Sequence, residues 1–195
     1  MRIAVIGAGG VGAPFGAALA MAGGDVTFVA RGAHLAATRT RGLTVLSPRG
    51  DVHLRSVQAT DEPASIGPVD VVLFCVKLWD VESAGAAIRP LVGSNTAVIP
   101  LQNGIDASER LIPILGKDAV MGGVAQISAT VAEPGVIQQT GTFMRLVFGE
   151  LDGRPSPRGA AFHSLCQKAG FDSVHSNEIL DALWEKSCSP PIARS

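Results

Sequence analysis

The chain has 195 residues, with 16 Lys and Arg against 17 Asp and Glu, a formal charge of −1 and a pI near 6.4, so charge favours neither nucleic acid nor an anionic membrane as a partner. Apolar residues at 47% against 17% charged can bury a core, which excludes a disordered chain, and 5% aromatics with no tyrosine argue against an RNA-stacking surface. Cys75, Cys166 and Cys188 are odd in number and lack CxxC spacing, so neither a disulfide framework nor a zinc site is expected and a reducing cytoplasm fits best.

The first predicted element is a short buried strand, residues 2–6, where Ile3, Val5 and Ile6 supply β-branched bulk before the run stops at Gly7. Residues 3–24 hold no charge and could pass for a leader or a membrane span. Gly7, Gly9, Gly10, Gly12, Gly16, Gly23, Gly24 and Pro14 interrupt them, so strand, turn and helix is the better reading. A helix over 11–22 ends at Gly23-Gly24. There follow a strand at 25–30, a basic helix at 33–41, and strands at 43–46 and 52–57 flanking a turn-rich pentapeptide as a hairpin. Next come a buried strand at 69–76, a helix at 80–88, a strand at 96–99, a helix at 105–115 and a strand at 119–126. Such alternation predicts an α/β fold, a Rossmann-type doubly wound, mainly parallel sheet covered on both faces. Residues 136–148 read as two strands without a helix between them. A helix at 159–169, a strand at 172–175 and a helix at 178–186 complete the pattern, with no internal repeat.

Gly7-Ala8-Gly9-Gly10-Val11-Gly12 is GxGxxG between a strand and a helix, the setting of a dinucleotide-binding turn. Gly7 permits the turn, Gly9 lets the backbone approach a pyrophosphate, and Gly12 lets helix and strand pack closely. About 20 residues on, NAD-binding chains carry an acid for the ribose 2′-hydroxyl. This chain has Val29-Ala30-Arg31 there, and a guanidinium suits a 2′-phosphate, so NADP is preferred over NAD. Lys77 follows a strand at the edge where ligands bind in such sheets; spacing leaves it either a solvated lysine or a ligand contact. Asn103-Gly104 is likewise a turn or a polar group facing the nicotinamide. His34, His53, His163 and His175 show no metal-binding spacing, and there is no serine nucleophile elbow.

GAGGVG at 7–12, Val29-Ala30-Arg31, Cys75-Val76-Lys77, Gln102-Asn103-Gly104 and Leu183-Trp184-Glu185-Lys186, in that order over residues 1–186, resemble the ketopantoate reductase family. The resemblance implies a two-domain enzyme that uses NADPH to reduce 2-dehydropantoate to pantoate on the route to coenzyme A. It implies that residues 7–12 hold the pyrophosphate and that Arg31 and Lys77 meet the 2′-phosphate end. Asn103 would lie between nicotinamide and substrate, the backbone of Ile127 would touch the cofactor, and Lys186 would be the catalytic proton donor. Lysine suits that work, because a ketone accepting a hydride becomes an alkoxide that needs a cation and a proton.

The family's substrate asparagines beyond the lysine are absent, with Pro190 and Arg194 in their stead. Residues 1–176 are expected to form the NADP-binding domain and 177–195 the start of a truncated helical domain. Pro190-Pro191 cannot continue a buried helix, and a one-base shift in codons for Ser-Cys-Ser-Pro-Pro can encode Phe-Val-Leu-Ala-Ala, so the tail is read as out of frame. Cofactor binding with little turnover, and a homodimer through uncovered apolar surface, are expected. A reductase of another 2-oxoacid and a non-catalytic NADP-binding module are the competing readings.

Overall fold

The computed structural model describes residues 1–103 and 106–188. In chain order its elements are β1 (Arg2–Ile6), α1 (Gly12–Met21), β2 (Asp25–Val29), α2 (Gly32–Arg41), β3 (Leu43–Leu46), β4 (Val52–Leu54) and β5 (Gln58–Thr60). Then come β6 (Val69–Phe74), α3 (Val81–Ala87), β7 (Val92–Pro100), α4 (Asp106–Leu115), β8 (Met121–Glu133), β9 (Val136–Glu150), α5 (Pro157–Lys168), β10 (Asp172–His175) and α6 (Ile179–Cys188). Five parallel strands form one sheet in the order β5-β2-β1-β6-β7. β1 is buried on both faces, which explains an unbroken apolar run rather than alternation. Ile3 and Val5 meet Phe15 and Leu19 of α1 and Phe28 on one side. Ala4 and Ile6 join Val81 and Ile88 near α3 and Leu111 of α4 on the other.

The end of α1 follows from its two glycines. Gly24 N–H donates to Leu19 O at 2.9 Å and Gly23 N–H to Ala20 O at 3.0 Å, with Gly23 at φ +94°, so the last carbonyls are satisfied by a left-handed cap.

Two expectations need correction. Residues 136–148 are not two strands but part of one, β9, which runs for 15 residues against the 13 of β8. The turn lies earlier, at Pro134-Gly135, where Gly135 takes φ +85°, and β9 runs on through residues 140–143, where its register with β8 shifts. The hairpin's second arm, expected over 52–57, ends at Leu54, and β5 beyond it, a strand not expected from the sequence, pairs with β2 as the edge of the parallel sheet. β9 also pairs with β3 and β10, giving a second sheet ordered β10-β9-β3-β4 with β8 alongside β9. Among the described residues no helix is long and apolar enough to cross a membrane.

Where α5 and β10 meet β9, His175 stacks on Phe148 with centroids 5.5 Å apart, and His163 lies 6.5 Å from His175. Burial first, and the neighbouring His163 second, hold the His175 pKa below its usual 6.5, against a smaller pull from Glu150. His34 is shifted the same way by burial. Above pH 6.5 these rings are neutral whether folded or unfolded. On acidification the unfolded chain binds the protons first, so stability must fall from pH 6.5 down through the lowered folded pKa values. Thermal melts at pH 7.5 and 5.5 should show the drop, and His175→Asn should remove part of it.

Candidate functional site

The carboxyl ends of β2, β1, β6 and β7 stand side by side, each followed by one of the expected groups: Arg31, residues 7–12, Lys77 and Asn103 respectively. Backbone contacts tie the neighbours together. The N–H groups of Gly7 and Ala8 both donate to Val29 O, at 3.0 and 3.2 Å, just before Arg31. Gly7 lies against the Cys75 carbonyl, just before Lys77. Gln102 Nε2 donates to Phe74 O at 3.1 Å and Val76 O at 3.0 Å, which joins the ends of β6 and β7 directly before Asn103. Gly104 lies outside the described residues.

Each loop glycine answers to a different neighbour. Gly7 has φ +97°, and a Cβ there would come within 2.9 Å of Cys75 O. At Gly12 a Cβ would overlap Gly7 O and sit 2.8 Å from Val5 Cγ1, so this glycine is a packing requirement. Gly9 has nothing within 4 Å of such an atom, which leaves open space beside the backbone. Gly10, for which the pattern supplies no role, is pressed against Ala129 O of the β8–β9 hairpin.

The loop also presents donors. Among the described residues the N–H groups of Gly9, Gly10, Val11 and Gly12 have no acceptor; α1 has no side-chain cap and no acid in its first turn. Four free N–H groups at a positive helix end, beside open space, fit a pyrophosphate. Arg31 and Lys77, both exposed and without a side-chain partner among the described residues, bracket that loop from the two adjoining strands. Cys75, beside the loop, has its thiol pKa pushed far up by burial, so it packs rather than reacts.

Lys186 comes to the same edge from α6. Its Nζ donates to Ala125 O of β8 at 2.7 Å, and burial lowers its pKa from the ordinary value. Two residues before Ala125, Gly123 packs against Ile99 and the Pro100 carbonyl of β7, the strand that leads to Asn103. Ile127 follows two residues after Ala125, partly buried. α6 is seated on β8 and β9 by Ile179 and Leu183, packed with Val124 and Val147. Of the tail read as out of frame, Ser187 and Cys188 end α6, and Pro190, Arg194 and the rest lie outside the described residues.

Sequence reasoning missed three participants: the Gln102 clamp, the Ala125 carbonyl that holds Lys186, and His34, discussed below. Gln102 stood in a recognised string without a role; the other two depend on partners far along the chain. A separate cavity of about 930 Å³ opens at the opposite, amino edge of the sheet, near Asp70, Asn95 and Lys117. Its arginines are engaged already, Arg158 with Glu150 and Thr96 O, and Arg154 with Asp152.

Comparison with known proteins agrees with this geometry. The profile of the family described as "Ketopantoate reductase PanE/ApbA" matches residues 3–153. A 2-dehydropantoate 2-reductase of Pyrococcus horikoshii is 32% identical over 188 residues, which cover 96% of this chain and 60% of that protein. Among solved structures, 2-dehydropantoate 2-reductase from Porphyromonas gingivalis W83 has 37% identity and a TM-score of 0.87, covering 95% of this chain and 66% of the other. The counterpart from Geobacter metallireducens GS-15 has 35% identity and a TM-score of 0.89, covering 95% and 61%. The chain spans about three fifths of the length of the curated relatives it matches.

Proposed function

Because the chain belongs to the ketopantoate reductase PanE/ApbA family, we propose that it is the dinucleotide-binding part of an NADPH-dependent reductase converting 2-dehydropantoate to pantoate. The observation that carries this is the lateral order along one sheet edge: Arg31, the glycine loop, Lys77, Asn103, and then Lys186 on the adjoining β8. That order suits an extended ligand with its phosphorylated adenosine at Arg31 and Lys77, its pyrophosphate over residues 9–12, and its nicotinamide near Asn103 and the Ile127 backbone. NADPH, when bound, supplies a hydride to the ketone carbon.

The chain's own part is position and charge. Asn103 orients the ring and the substrate carbonyl. Lys186, held by the Ala125 carbonyl, stabilises the developing alkoxide and then gives it a proton. Burial makes the ammonium a stronger acid, and a proton donor works only below its pKa. Turnover should therefore fall as pH rises through the lowered lysine pKa. α6 is the first element of the helical part that completes the substrate cleft, and self-association through its outward Leu180 and Trp184, 49% and 57% exposed, belongs to the same proposal.

The test is NADPH oxidation with 2-dehydropantoate by this chain and by a chimera carrying the carboxyl-terminal part of the P. gingivalis relative. Turnover is expected from the chimera. Lys186→Met should cut its kcat by about 100-fold or more with NADPH affinity kept within about two-fold. Turnover that survives this substitution would remove Lys186 from the chemistry, and faster reduction of another 2-oxoacid would reassign the substrate.

A further inference from the structure

The turn of the β8–β9 hairpin is seated on α2 and β3 by three hydrogen bonds. Arg41 Nη2 donates to Pro134 O at 2.7 Å, Thr44 N–H to Gly135 O at 2.9 Å, and Gly135 N–H to His34 Nδ1 at 3.2 Å. The third of these settles the state of the ring. A nitrogen that accepts carries no proton, so the neutral imidazole bears its hydrogen on Nε2. That Nε2 is buried and makes no well-formed hydrogen bond, while the ring lies beside the backbone of Ala8 in the glycine loop. The hairpin also touches the loop directly, where Ala129 O closes over Gly10. The loop is thus held between His34 and the hairpin, and His34 in turn holds the hairpin.

Resting on the dinucleotide reading above, we propose that neutral His34 is a positioning residue that latches the β8–β9 hairpin over the phosphate loop, and that protonation at Nδ1 releases the latch and weakens dinucleotide binding. The consequence for Nδ1 is chemical: once protonated it is a donor, and the Gly135 N–H then faces another N–H. Burial disfavours the imidazolium, with the Ala8 carbonyl acting in the opposite sense, so the ring is neutral at pH 7.5. The charged side chains on the elements packed around it are Arg31, Arg39 and Arg41 of α2 and Glu133 at the end of β8. None of them contributes to the shift, and the loop carries no charge. An opposite behaviour is conceivable on physical grounds, since an imidazolium beside a pyrophosphate would attract it. The sign of the pH effect therefore decides the matter.

The experiment titrates NADPH into the 195-residue chain and its His34→Asn and His34→Leu variants at pH 7.5 and 5.5, and follows the Gly135 amide by NMR hydrogen exchange without ligand. Asparagine keeps an acceptor near the Nδ1 position and does not titrate. Comparing variants at each pH cancels the protonation of NADPH's own 2′-phosphate, whose pKa is about 6. We expect the wild-type affinity to fall further than that of His34→Asn on acidification, by about two-fold or more (about 0.4 kcal/mol). His34→Leu should bind weakly at both pH values, and Gly135 exchange should speed up with acid in the wild type alone. Parallel losses in wild type and His34→Asn would overturn the proposal, as would a wild-type affinity that rises relative to His34→Asn. If no protein binds NADPH at any pH, the dinucleotide reading falls and takes the coupling with it, and Gly135 exchange still reports separately whether the latch exists.

Discussion

Alanine at Gly12 is expected to destabilise the fold and abolish dinucleotide binding, whereas alanine at Gly9 should leave stability within about 0.5 kcal/mol and weaken NADPH binding by about ten-fold or more, roughly 1.4 kcal/mol. The two positions lie three residues apart in one loop and differ only in what faces them. At Gly12 a methyl group would overlap the Gly7 carbonyl, just after β1, and crowd Val5 Cγ1 within that central strand. Overpacking of that kind costs about 1–3 kcal/mol, and relief by moving Gly7 would displace the loop that the proposal assigns to the phosphates. At Gly9 the methyl group enters empty space at an ordinary φ. It harms the fold little but occupies the room that a pyrophosphate needs. Denaturant unfolding and NADPH titration of both variants read the two effects separately. Equal NADPH affinity in wild type and Gly9→Ala would remove the phosphate from this loop.

Asp in place of Arg31 should reverse the coenzyme preference. Arg31 stands at the N-cap of α2 with an extended backbone, makes no side-chain cap, and leaves its guanidinium exposed. On the proposed reading, two hydrogen bonds from that group to a 2′-phosphate, at about 1.5–3 kcal/mol for a charged pair, would be lost in the variant, and a carboxylate would then face the phosphate. NADPH affinity should fall by about 30-fold or more. NADH should bind at least as well as before, since a carboxylate suits a free 2′-hydroxyl. The fold should not suffer, because Asp is a better N-cap than Arg and sits well at a positive helix end. Stability that holds while the NADPH to NADH ratio inverts would separate recognition from folding. Unchanged preference would mean that the 2′-phosphate is bound elsewhere.

Acid sensitivity belongs to a different part of the molecule. The Glu150 carboxylate is buried, which raises its pKa, but hydrogen bonds from Arg158 and Ser156 outweigh that and hold it below the ordinary value. Its contribution is therefore present at neutral pH and is lost only as pH falls below the ordinary carboxyl value of 4.5 through the lowered folded one.

The glycine loop, the strand before it and the cap after α1 were legible from residues 2–24, because each depends on neighbours within a few positions and on what glycine alone permits. Arg31 was legible for the same reason, its place being set by the end of β2. Lys77 and Asn103 stood out by their place after strands but took a single reading only through likeness to a family, and Lys186 stood out only through that likeness, since a lysine at a helix end is commonplace.

The long hairpin was misread because local composition does not show that β9 runs on through residues 140–143, where its register with β8 shifts, from its pairing with β3 to its pairing with β10. Pairing across strands is a property of the whole sheet, and local composition does not carry it. The sequence by itself determined the glycine-rich turn after β1 and the place of Arg31 beside it, both set by short-range backbone geometry. Only the tertiary structure decided why Gly10 is glycine, where Lys186 rests and which nitrogen of His34 bears its hydrogen. Lys186 meets a carbonyl 61 residues away and His34 an amide 101 residues away. Contacts of that span come into being only when the sheets have formed and packed.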